Sequence, residues 1–276
     1  MSQIALWGAV ELGLVYAFVA LGVYLAFRVL DFPDLTVDGT FPLGAAVTAV
    51  LIMAGVNPWL AAVVAMLAGA LAGLVTAALN VRFKILNLLA SILTMIALFS
   101  VNLRVMGRPN VALLSVATML TPFYGNGLRD FMVRPMFLLV LAIVALIVVW
   151  RYLESDAGLA MRATGANARM ARAQGINTDR QIYMGIALSN ALVALGGALF
   201  AQTNGFADVT SGVGTIAAIA CAVGPISMVR AGVAVSVLTA VASVVLTWRQ
   251  MNELVREHLA DVHALRRVIQ QEHVRL

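Results

Sequence analysis

The chain has 276 residues, 62% hydrophobic and 11% charged, with 18 Lys and Arg against 13 Asp and Glu and a formal charge of +5; its mean hydropathy is +0.96. A soluble domain carries about 25% charged residues, so the composition excludes one and points to an integral membrane protein with several runs near the roughly 20 residues that cross hydrocarbon. No basic stripe with interleaved aromatics stands clear of the membrane, which argues against nucleic-acid binding; the positive charge reads as topology signalling, with contact to anionic membrane lipid as a secondary effect.

In chain order, helical spans are predicted near 5–29, 41–54, 59–80, 85–103, 135–152, 182–202 and 226–247, with a shorter apolar piece at 213–224. Met1 to Trp7 carries no basic residue and its apolar run continues past signal-peptide length, so the first span is expected to be retained. The 41–54 piece is short for a crossing and follows Asp31, Asp34 and Asp38, which fits a half-helix or re-entrant segment. Small residues at Gly69, Gly73 and Gly196-Gly197 are a packing signal. Arginines at 151, 162, 169, 172 and 180, and the pair Arg82 and Lys84, mark the segments 151–181 and 81–84 as cytoplasmic, which places the start of the chain outside. Arg104, Arg108, Arg129 and Arg134 in the link 104–134 then fall on the outer side, against the rule. The lone Cys221 cannot form an internal disulfide.

Phe32-Pro33-Asp34-Leu35-Thr36 is echoed by Phe206-Ala207-Asp208-Val209-Thr210. Polar breaks at corresponding places in two halves point to a transporter's solute path, because unwound backbone is tolerated at membrane depth only where it is buried in protein or lines a cavity; shared turn chemistry would also produce a five-residue echo. Between spans, Asp156 to Gly175 has helical content: Met161, Ala168, Met170 and Ala171 make a narrow apolar stripe, Thr164 and Asn167 are candidate caps, and Gly165 and Gly175 permit sharp turns. It is either a helix that rests in a partner's groove or a solvated loop whose arginines set topology; the residues alone leave both open.

The tail 248–276 reads as an amphipathic helix with Trp248, Met251, Val255, Val262, Leu265, Ile269 and Leu276 on one face. His258, His263 and His273 are the only histidines and do not share one helical face, so no metal site is expected. There is no phosphate-cradling Gly-x-x-x-x-Gly-Lys-Ser/Thr loop, the only lysine is Lys84, and no nucleophile has a base within the spans. The chain is therefore expected to be neither an ATPase nor any other enzyme, and to carry no cofactor.

Asp31-Phe32-Pro33-Asp34-Leu35-Thr36-Val37-Asp38-Gly39, Met106-Gly107-Arg108-Pro109-Asn110, Gly158 to Gly175, Ala187-Leu188-Ser189-Asn190-Ala191-Leu192 and Gly205-Phe206-Ala207-Asp208 occur in that order. Together they resemble the permeases of bacterial ATP-binding cassette importers of the branched-chain amino acid type, in the subgroup paired with tryptophan-type or uncharacterised substrate-binding proteins. The resemblance runs over about residues 8 to 215 and fades after about residue 216, where natural divergence and an altered end are both expected explanations.

The resemblance implies an all-α, polytopic transmembrane helical bundle with broken or re-entrant helices and a cytoplasmic coupling helix at 160–176. A permease domain at 1–247, with its coupling loop at 153–181, would precede the divergent amphipathic helix at 248–276. It further implies a homodimer, two ATPase subunits and a periplasmic or lipid-anchored solute-binding protein at the bacterial inner membrane. Expected path residues are Asp34, Thr36, Asp38, Asn87, Thr94 and Asn190; expected coupling residues are Arg162, Thr164, Gly165, Asn167, Met170, Ala171 and Gly175. The rivals are an ion- or proton-coupled secondary transporter, which would use the same broken helices without an ATPase, and a structural membrane subunit that carries nothing.

Overall fold

The computed structural model describes residues 3–113 and 130–212, together with Val116, Thr118, Met119 and Thr121. The expected span at 226–247, the piece at 213–224 with Cys221, and the tail with its histidines lie outside these residues.

Helix α1 (Gln3–Tyr24) runs on into a wider π-helical turn, Leu25–Val29, and α2 (Val37–Met53) follows a short irregular link. Then come α3 (Pro58–Val81), α4 (Asn87–Met106), strand β1 (Asn110–Ala112), α5 (Asp130–Glu154), α6 (Asp156–Ala166), α7 (Ala168–Ala173), α8 (Thr178–Asn204) and strand β2 (Phe206–Asp208). Among the described residues, five stretches are long and apolar enough to cross a membrane: Trp7–Val29, Pro58–Val81, Asn87–Met106, Arg134–Glu154 and Thr178–Asn204. The architecture is thus the expected all-α polytopic bundle.

Local chemistry sets the helix ends. Asn57 accepts from Trp59 N at 3.0 Å, with Pro58 opening α3 where its missing N–H costs nothing. Gly107 (φ +66°) and Gly205 (φ +74°) close α4 and α8 in the left-handed conformation that glycine adopts freely. Helix α2 starts earlier than the 41–54 piece. At 17 residues it is about 25 Å long, short of the roughly 30 Å hydrocarbon layer.

Helix α8 is the axis of the bundle: 78% of its most apolar stretch is buried, against 17% for α5. Small residues let its neighbours approach, as expected for Gly69, Gly73 and Gly197. A β-carbon on Gly197 would collide with the Phe41 carbonyl, one on Gly73 would lie 2.6 Å from Ile186 O, and one on Gly22 2.6 Å from Ser189 O. The outer helices instead turn Leu89, Leu93 and Ile96 of α4, and Met136, Val140, Val144 and Ile147 of α5, outward, the surface a helix presents to lipid.

The two ends of the bundle differ. At one, the α3–α4 turn and the α7–α8 turn line a common cavity. At the other, β1 and β2 pair antiparallel, Val111 opposite Ala207. Three-residue strands in an otherwise helical chain left no period-2 signal long enough to read.

Candidate functional site

The link between α1 and α2 re-enters the bundle. Asp31 takes a left-handed φ of +53°, Phe32 N donates back to Ala26 O at 2.9 Å, and Asp34 is fully buried. Its Oδ1 accepts from Thr36 N at 2.9 Å, a local turn that opens α2. From α8, Asn190 Nδ2 donates to Asp34 Oδ2 at 2.7 Å and to Ile186 O at 3.0 Å, while Asn190 Oδ1 accepts from Thr40 Oγ1 at 2.7 Å. Thr36 and Thr76 share a hydroxyl contact at 2.9 Å, and Asn102 of α4 donates to Gly39 O at 3.1 Å.

Helices α3, α4 and α8 therefore converge on the start of α2. A helix N-terminus carries partial positive charge, and a carboxylate beside it is favourable; in low dielectric the arrangement is tolerable because both Asp34 oxygens accept hydrogen bonds. Pro42, inside α2, has no N–H to give to the carbonyl of Asp38. A β-carbon on Gly212 would collide with that carbonyl and lie 2.6 Å from Pro42 Cδ, so the segment after β2 reaches the start of α2.

The sequence echo is also a structural one. Asp208 Oδ1 accepts from Thr210 N at 2.7 Å and Thr210 Oγ1 at 2.6 Å, and its Oδ2 accepts from Asn110 Nδ2 at 3.2 Å. Each aspartate caps the threonine two residues on and is held by a distant asparagine. Asp208 sits at the hairpin end, where the Thr210 hydroxyl, then the Thr210 backbone N–H, and to a lesser degree the Asn110 amide hold its carboxyl below the ordinary range, against the opposing effect of burial.

Of the expected path residues, Asp34, Thr36 and Asn190 come together in one network. Asp38 is half-buried on the first turn of α2, beside it. Thr94 is buried, but its hydroxyl turns back to Ala90 O at 3.0 Å. Asn87 lies at the opposite end from the hairpin, accepting from Asn80 in a cavity of about 640 Å³ lined also by Lys84, Arg172, Asn177, Thr178 and Asp179. Thr40, Thr76 and Asn102 joined the network without having been singled out; the signal for the first was its place one turn beyond Thr36. Among the described residues no group of three or more His, Cys, Asp or Glu could hold a metal.

The expected single surface helix at 160–176 is two helices broken at Asn167, whose backbone is extended (φ −160°) and whose side chain caps α7 by accepting from Arg169 N and Met170 N, both at 3.1 Å. Ser155, not Thr164, caps α6; the Thr164 hydroxyl returns to Ala160 O at 2.8 Å. Gly165 makes no turn. It lies in the last turn of α6, pressed on the π-helical turn, where a β-carbon would collide with Val29 O. Gly175, at φ +82°, does make the turn. Ala171 is buried, Arg162 half-buried and Met170 62% exposed.

A family model described as "Branched-chain amino acid transport system / permease component" matches residues 7–265, which carries the likeness past residue 216, where the motifs had faded. The tyrosine transport system permease protein of Clostridioides difficile (strain R20291) is 38% identical over 204 residues, 74% of this chain and 66% of that protein. An uncharacterised protein of Rickettsia prowazekii (strain Madrid E) is 36% identical over 207 residues, 75% of this chain and 71% of its own length. The galactofuranose transporter permease protein of Escherichia coli (strain K12) is 26% identical over 185 residues, 64% of this chain and 51% of its own length. The match thus spans about half to seven-tenths of these relatives. No solved structure is matched.

Proposed function

The chain belongs to the family of permease components of branched-chain amino acid transport systems, and from that premise we propose that it is the transmembrane subunit of an ATP-binding cassette importer. It moves a small polar solute, an amino acid or similar, across the bacterial inner membrane. Two copies form the path, two ATPase subunits dock on the cytoplasmic side, and a solute-binding protein delivers from outside. The relative that is a tyrosine transport permease supports the amino-acid class.

The observation that carries the reading is the α6–α7 pair, a basic helical elbow seated on the end of α1 through Gly165 and Val29, with Leu159 and Met170 turned outward. Arg82 and Lys84 lie at the same end, which the positive-inside rule assigns to the cytoplasm. The outward apolar side chains offer a partner something to grip. At the other end of the same structural chain stands the Asp34–Asn190 network, where backbone is unwound and polar groups are gathered. ATP binding draws the ATPases together, shifts α6 and α7, and changes which end of the path is open, the energy coming from differential contact with the two states.

Copurification in detergent from the native bacterium, followed by uptake in proteoliposomes, tests this. The expected result is a retained nucleotide-binding subunit and uptake that requires ATP inside. Uptake by the isolated chain on an ion gradient alone would overturn it.

A further inference from the structure

The end of α1 is built differently from every other helix end described. Between Leu25 and Val29 the chain widens into a π-helical turn with Arg28 on its exposed side; such a turn holds an extra residue, is less favourably bonded than an α-helix, and is frequent at functional sites. Leu30 N closes it on Leu25 O at 3.1 Å, and Phe32 N bonds back to Ala26 O at 2.9 Å. Asp31 between them is left-handed, a conformation that aspartate adopts more readily than most non-glycine residues.

Both sides of this turn are gripped. Gly165 of α6 lies directly on the Val29 carbonyl, and the position of a β-carbon on Gly165 is 3.0 Å from the Leu30 carbonyl carbon. Leu30 Cδ2 and Met161 Sδ both approach Gly185 of α8, at 3.1 and 3.4 Å from its β-carbon position. Val29, Leu30 and Phe32 share one buried apolar cluster with Met161 and Ile186. Only Leu30, Asp31, Phe32 and Pro33 separate Val29 from Asp34, which holds the start of α2 against Asn190.

We propose that the π-helical turn Leu25–Val29, with Leu30 and Asp31, is the element that carries a displacement of α6 to Asp34, making Val29, Leu30 and Gly165 positioning residues for transport. This rests on the permease reading above. A shift of α6 moves the Val29–Leu30 backbone because Gly165 leaves no space between them. The slack in the π turn absorbs a change of winding, and the stiff Asp31–Pro33 link passes the remainder to Asp34. Withdrawal of Asp34 from Asn190 frees the first turn of α2. Loss of the extra residue would turn everything after it by about 100° about the helix axis, breaking that register without touching the surface of α6 and α7.

The test uses the whole complex with its ATPase in proteoliposomes, comparing a chain lacking Arg28, the substitution Arg28→Ala, and Gly165→Ala. The first is expected to keep the ATPase bound and hydrolysing while ATP-driven uptake falls about tenfold or more, within the span of coupling effects seen at sites that touch no ligand. Arg28→Ala keeps the turn and is expected to stay within about twofold of the unaltered chain. If the shortened chain fails to insert, Gly165→Ala reads the same split from the α6 side. Uptake within about twofold in the shortened chain or in Gly165→Ala overturns the proposal, as does loss of the ATPase together with uptake, which marks an assembly defect. An unaltered chain that holds no ATPase instead removes the permease reading and this inference with it.

Discussion

Asn190 donates to Asp34 Oδ2 at 2.7 Å and accepts from Thr40 at 2.7 Å, joining α8 to both sides of the irregular start of α2. Its remaining amide hydrogen goes to Ile186 O at 3.0 Å, so both amide hydrogens and one lone pair of Oδ1 are used. Asn190→Leu fills similar space but strands Asp34 Oδ2, while the Thr40 hydroxyl still has Thr36 O at 3.0 Å to donate to. Leaving that one buried acceptor without a partner costs about 1–3 kcal/mol. The variant is expected to unfold at lower temperature in detergent and to lose uptake. Thr40→Val, which leaves the Asp34–Asn190 bond in place and strands only the neutral Asn190 Oδ1, is expected to lose less stability. Thermal unfolding of the two side by side checks the order.

Gly197 and Gly8 make a matched pair of glycines in helices. A β-carbon on Gly197 would strike the Phe41 backbone, whereas on Gly8 it would meet nothing within 4 Å. Gly197→Ala is therefore expected to destabilise by about 1–3 kcal/mol or more through overpacking. Gly8→Ala is expected to be neutral or stabilising by up to about 1 kcal/mol from helix propensity. Melting temperatures of the purified variants separate the two.

The Asp208 carboxyl is held below its ordinary value by Thr210 and Asn110. A group with a depressed folded-state pKa contributes stability above its unfolded value, and that contribution is lost as pH falls through the folded value. Amide exchange at Thr210, whose N–H donates to Asp208 at 2.7 Å, is expected to keep its protection through the ordinary aspartate range, about pH 4, and to lose it only at lower pH. Asp208→Asn should remove that pH dependence while leaving the β1–β2 backbone pairing in place.

Gly175 turns the chain from α7 to α8 at φ +82°. Asn tolerates that conformation and a β-branched residue does not. Gly175→Val is expected to strain the turn by about 1–2 kcal/mol and to lower uptake per ATP hydrolysed, with membrane insertion unchanged. Gly175→Asn should behave nearly as the original chain. Uptake and hydrolysis measured on the same proteoliposomes give the ratio.

Much of this was legible in the residues. The spans, the short helix after Asp31, Asp34 and Asp38, and the central Asn190 follow from hydropathy and the cost of polar groups at membrane depth. The two-helix elbow did not, because the break at Asn167 depends on a cap that competes with helix continuation, and Gly165 reads as a turn residue until Val29 is seen against it. The partnership of Asp208 with Asn110, across 98 residues, mirrors that of Asp34 with Asn190. Only the aspartates of the echo could be matched by eye; the asparagines come from different helices and strands. Asn87 and Thr94 looked alike as intramembrane polar residues, yet one sits at a helix start beside a cavity and the other bonds within its own helix.

The most direct test of the account is crosslinking from Met170, whose side chain is 62% exposed on α7. A chain carrying Met170→Cys, treated in inside-out vesicles with a short bifunctional thiol reagent, is expected to capture a nucleotide-binding subunit and to be blocked by a membrane-impermeant maleimide added to the cytoplasmic face. Labelling from the opposite face only, or an adduct with no ATPase in it, would contradict the coupling role on which the transport mechanism stands.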